Sequence, residues 1–174
     1  MSSVKSFVLG VTGHRPNKLG GYSTPNPIYN FVVSETEKFL LKHKPSKIIT
    51  GMCIGYDQWV AELAIKLQIP FVAAIPFIGQ ESLWPSAAQN HYKDLLAQAE
   101  HIEIVNKGGF ASWKLHARNR WIVDHSSVVL AAYNDVSHSG GTYNCLTYAK
   151  EKNRSITIIN HLEADKITHV NLNS

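Results

Sequence analysis

The sequence is poor in what several protein classes require. Only two cysteines, Cys53 and Cys145, occur in 174 residues. That is too few for a disulfide framework and fits small buried hydrophobes in a reducing compartment. The nine histidines form no HxH or HxxxH pair, and no cysteine lies near one at zinc spacing. No metal site and no cofactor are therefore expected. No apolar run approaches the roughly 18 residues of a membrane span. One lysine before a very short apolar run is too little for a secretory signal, so a cytoplasmic location is the expectation. Charged residues make up 17%, and the net charge of +4 is scattered along the chain. With no lysine/arginine block, a nucleic-acid arm is not expected, and the modest positive excess fits a small anionic ligand equally well.

What is present is a regular alternation. Hydrophobic residues reach 44%, which at this length suits one globular core. Short, mostly β-branched runs recur at "SFVLGV" (6–11), "KIIT" (47–50), "FVAAI" (71–75), "HIEIV" (101–105), "SVVLAA" (127–132) and "SITII" (155–159). Several are apolar throughout, as strands buried on both faces are. Helical periodicity fills the gaps. Residues 28–43 carry Ile28, Phe31, Val32, Thr36, Phe39 and Leu40 on one stripe, and 56–68 carry Trp59, Val60, Leu63, Ala64 and Leu67. Residues 86–99, 113–124 and 141–152 are the other predicted helices, and Pro45 and Pro70 follow helix ends. Such alternation predicts an α/β fold, a Rossmann-like three-layer αβα domain with a mostly parallel sheet of about six strands. Residues 1–160 read as that single domain. Residues 161–174 read as a tail that either adds an edge strand at "ITHVNL" or stays loose.

In an open parallel sheet, ligands bind at the carboxyl ends of the strands. The loops that leave those ends are unusual here. After the first strand, Gly13 allows close backbone approach, His14 can donate or accept, and Arg15 offers a fork of donors suited to phosphate or carboxylate. After the second, Gly51 and a further glycine precede a helix start whose free N–H groups form an anion site, with Asp57 in its first turn. Asp57 either caps the helix or accepts from a ribose hydroxyl. After the third come Glu81 and Trp84; the indole either stacks on a base or packs on the following helix. Lys114, Arg118 and Trp121 share one helix face. After the fifth strand, Gly140, Gly141 and Thr142 open a helix with N–H groups and a hydroxyl, a phosphate cradle or a plain capping turn.

Taken together, "VTGHRP", "TGMCIGYDQWVAELA", "IPFIGQESLWP", "ARNRWIVDHSSVVLAAYN" and "SGGTYNCLTYAKEK" resemble the YpsA-like branch of the SLOG superfamily in order and spacing. That superfamily also holds the LOG phosphoribohydrolases and the Rossmann domain of DprA. The resemblance implies a nucleotide-type ligand over the Gly-Gly-Thr turn, often within phage–host conflict systems, and a homo-dimer or higher homo-oligomer. LOG enzymes cleave the N-glycosidic bond of a nucleoside 5′-monophosphate with an arginine and the glutamate of "PGGxGTxxE". Arg118, followed by Asn119, matches the arginine, and Gly140, Gly141 and Thr142 match the glycine turn. The glutamate is not matched: Cys145 stands third after Thr142. Asp57 and Glu81, on other strand-end loops, are the carboxylates that could substitute. The expectation is thus a binder of a nucleotide-derived small molecule, as sensor or sponge. The alternative is an N-glycosidase acting on a nucleotide.

Overall fold

The computed structural model describes residues 6–134, 138–163 and 167–170. Strands and helices alternate as β1 (Val8–Gly13), α1 (Pro27–His43), β2 (Lys47–Thr50), α2 (Tyr56–Leu67), β3 (Phe71–Ile75), α3 (Ser86–Ala97), β4 (His101–Ile104), α4 (Ser112–Asp124), β5 (Val128–Ala132), α5 (Gly141–Glu151) and β6 (Ser155–Ile159). β7 (Ile167–Val170) follows. The sheet order is β4-β3-β2-β1-β5-β6-β7. The first six strands run parallel, and β7 returns antiparallel along β6. This is the expected Rossmann-like α/β fold. Within the tail, "ITHVNL" contributes β7 over Ile167–Val170, while Asn171 and Leu172 lie outside the described residues.

The layers follow from strand alternation. In β5, Leu130 and Ala132 join the cluster that receives Val32 and Leu40 of α1, Val60 and Leu63 of α2, and Tyr92 and Leu95 of α3. Val129 and Ala131 point the other way, against Val123 of α4 and Leu146 and Ala149 of α5. Fully burying each such aliphatic side chain contributes about 1.5–3 kcal/mol. All five residues of β3 are buried, which is why that strand reads as a continuous apolar run rather than an alternating one.

Helix ends obey local chemistry. Asn26 accepts from Tyr29 N at 2.9 Å and Pro27 occupies the first turn of α1. Lys44 and Gln68 close α1 and α2 in the left-handed conformation, each just before a proline region. Most elements differ from expectation by one or two residues at an end, and β1 is shifted at both ends. β1 runs past its apolar stretch to Gly13, because Thr12 and Gly13 continue the ladder against Ala131 and Ala132. After β1 the chain moves outward through β2, β3 and β4, then returns to pair β5 on the other side of β1. The order reverses there, so loops leaving β1 and β5 part and open a crevice.

Candidate functional site

A cavity of about 510 Å³ occupies that crevice. The end of β1, the starts of α2 and α5 and the first turns of α4 contribute its walls. Gly13, His14, Arg15, Asp57, Arg118, Asn119, Gly140, Gly141 and Thr142 all line it. Gly51 is not among the lining residues; its carbonyl accepts from Arg118 Nη1, behind the wall, at 2.7 Å. Glu81, Trp84 and Lys114 do not line it.

Each of those three has a structural employment elsewhere. Trp84 packs edge-on against Tyr92, with ring centroids 5.2 Å apart, so it is no stacking platform for this cavity. The Glu81 carbonyl accepts from Trp84 N in the same turn, and its carboxylate stays outside the walls. Lys114 is buried; its ammonium donates to the carbonyls of Lys107 at 2.6 Å and Gly109 at 2.7 Å, pinning the loop before α4. Two glycines are required by packing. A Cβ on Gly13 would stand 2.5 Å from the Tyr56 ring, and one on Gly51 would stand 2.7 Å from Arg118 Nη1.

Arg118 lines the cavity but is committed to contacts within the protein. It is 4% exposed, and its fork is turned into the protein. Nη1 donates to Gly51 O and, at 3.4 Å, to Ala74 O; Nη2 donates to Cys53 Sγ at 3.5 Å. Nε donates to Asn119 Oδ1 at 3.0 Å. Burial opposes the guanidinium charge, Cys53 and Asp57 beside it favour it, and the net direction is upward. Because Arg118 takes the oxygen of Asn119, the Asn119 amide nitrogen is the group left facing Gly141.

Asp57 is the one carboxylate among the lining residues. It is buried, and its Oδ2 accepts from Cys53 N at 3.3 Å. Burial pushes its carboxyl up to about 6, against the opposing influence of Arg118. His14 is buried as well, and burial lowers its pKa, so the neutral ring is the form at pH 7. Its Nε2 lies 3.2 Å from Asn134 Oδ1 and 3.3 Å from Asn134 N, donating to the first or accepting from the second according to tautomer. The free cations are Arg15 and Lys18, exposed on the loop after β1 and without an ion pair among the described residues.

The α5 start completes the wall. Gly140 precedes it with no side-chain cap, and Thr142, a residue 8% exposed, makes no side-chain hydrogen bond among the described residues. Several lining residues escape a reading by loops. Lys18 sits three residues beyond Arg15, near enough to have been grouped with it. Cys53 reads as a core hydrophobe, although its place in a glycine loop at a strand exit is the available signal. Ser112 and His116 line the cavity from the α4 face that also carries Asn119, legible only by extending that helix's periodicity toward the site.

Known proteins share this organisation. A UPF0398 protein of Brevibacillus brevis is 24% identical over 157 residues, covering 84% of this chain and 83% of its own length. DNA processing protein A (DprA) from Streptococcus pneumoniae superposes with a TM-score of 0.64 at 18% identity, over 92% of this chain and 53% of that one. DprA from Helicobacter pylori, solved for its single-stranded DNA binding mode, gives 0.63 at 19% identity, over 87% and 64%. The chain thus spans between about half and two thirds of those DprA chains, and the likeness speaks for the fold. The YpsA family model, described as the YspA SLOG family, matches residues 9–167, and the chain belongs to that family.

Proposed function

We propose that the chain binds a nucleotide, or a small molecule derived from one, in this cavity, acting as a sensor or sponge. The observation that carries the reading is the start of α5. An uncapped helix N-terminus presents free N–H groups and a partial positive charge, the combination that suits a phosphate. Thr142 adds a hydroxyl with no hydrogen bond among the described residues, and the Asn119 amide faces Gly141. Arg15 and Lys18 supply mobile charge at the rim. A cavity of about 510 Å³ falls within the roughly 300–1,000 Å³ of small-molecule sites. Asp57 suits sugar hydroxyls, which donate to it, rather than the phosphate. Single-stranded DNA would want cations strung along a groove with interleaved aromatics. The free cations here sit on one short loop instead.

Calorimetric titration with adenosine 5′-monophosphate (AMP), ribose 5-phosphate and adenosine tests the reading. Both phosphates should bind, and adenosine should bind at least about tenfold more weakly. Replacing both Arg15 and Lys18 by alanine should weaken AMP binding by roughly 5- to 30-fold, less so at high salt. Adenosine and AMP binding equally would contradict it.

One observation favours a second reading, hydrolysis of a nucleotide N-glycosidic bond. Asp57 is a buried carboxyl on the cavity wall, pushed up to about 6, where acid–base groups operate. The position of the LOG glutamate offers nothing comparable. Cys145 is 2% exposed, and burial pushes its thiol up to about 12. Free base released from AMP, and lost in Asp57→Asn, would support the enzyme; intact bound AMP supports the binder.

A further inference from the structure

The two cysteines differ sharply. Cys145 of α5 is buried in the cluster with Val129 and Ala131 of β5, its thiol held protonated by burial. Cys53 is half-buried and lines the cavity beside the start of α2. Its Sγ receives a hydrogen bond from Arg118 Nη2 at 3.5 Å and donates to Gln80 Oε1 at 3.8 Å. Neither reading of the site gives the sulfur a task. Thr142 lines the same cavity, is 8% exposed and makes no side-chain hydrogen bond among the described residues, so a polar group there is open to a ligand.

We propose that Cys53 is a modification site built into the cavity: hydrogen peroxide oxidises its thiol to a sulfenic acid, and a bound anionic ligand shields it. The sulfur attacks one peroxide oxygen, so an S–O bond forms as the O–O bond breaks. The departing hydroxide takes the thiol proton and leaves as water. Sulfur loses two electrons and the peroxide gains them. Arg118 goes on donating to the product, because a sulfenate oxygen accepts where sulfur did. The added oxygen occupies cavity volume beside Asp57, so oxidation and anion binding exclude each other. An external dithiol returns the sulfenic acid to the thiol, releasing water and forming its own disulfide.

The shielding rests on the nucleotide reading; the oxidation does not. The full chain is treated with equimolar hydrogen peroxide and dimedone, with and without saturating AMP, and the adducts are mapped by mass spectrometry. Dimedone should mark Cys53 at least about tenfold more than Cys145, following accessibility. AMP should slow that labelling at least about fivefold, and Cys53→Ser should carry no adduct there. Equal labelling of both cysteines, or an unmarked Cys53, overturns the site. Labelling unchanged by AMP that calorimetry shows to be bound overturns the shielding. Labelling at Cys53 together with no AMP binding keeps the modification site and removes the nucleotide reading instead.

Discussion

Arg118→Ala is expected to cost the fold about 3–5 kcal/mol, the range for breaking a buried, hydrogen-bonded charge cluster. The guanidinium ties the ends of β2 and β3 to α4 through Gly51 O and Ala74 O, and it fixes the Asn119 amide. Without it, Ala74 O loses its side-chain donor, and Asp57 loses the strongest influence opposing its protonation. Arg118→Lys keeps the charge but not the fork. One ammonium cannot span acceptors on β2, β3 and α4, so most of the loss should remain. Urea unfolding measures both variants. A variant that unfolds like the wild type and fails only in ligand binding would return Arg118 to the direct ligand role that the resemblance implies.

Asp57→Asn should do the opposite and stabilise the protein at neutral pH. The carboxyl is raised from 3.8 to about 6 in the folded chain, chiefly by burial. Between those values the folded state binds more protons than the unfolded state, so stability falls as pH rises through that window. A shift of that size corresponds to roughly 3 kcal/mol at most. Asparagine imitates the protonated form at every pH. Thermal melting should therefore show Asp57→Asn well above wild type at pH 8 and level with it near pH 3.5. Destabilisation at pH 8 that vanishes near pH 3.5 would mean instead that the ionised carboxylate holds the fold together. A buried carboxylate that lowers stability while facing a cavity is what a functional group looks like.

The fold was legible because its signals are local. Runs such as "FVAAI" and "SITII" are strands residue for residue, and the helical stripe read over 28–43 falls on α1. The meeting of distant loops was legible too, since a parallel sheet delivers every strand end to one edge. The aim of individual side chains was not. Arg118 turns inward because Gly51, 67 residues away, presents a carbonyl beneath it. Trp84 follows Tyr92 of α3, and Lys114 finds two carbonyls of its own preceding loop. Helical spacing puts Lys114 and Arg118 on one face, but only the neighbours decide what that face touches. Gly13 adds a packing requirement that the loop pattern did not reveal: a Cβ there would run into the Tyr56 ring.

Gly141→Asp tests most directly whether a phosphate binds at the start of α5. A Cβ there meets nothing closer than the Asn119 amide nitrogen at 3.9 Å, so the side chain fits. A carboxylate in the first helical turn also favours the helix by about 0.3–1 kcal/mol. The variant should melt no lower than wild type. Titrated with AMP, it should bind at least about 30-fold more weakly, because a fixed negative charge then occupies the phosphate position. AMP binding undiminished in a well-folded Gly141→Asp would contradict a phosphate there.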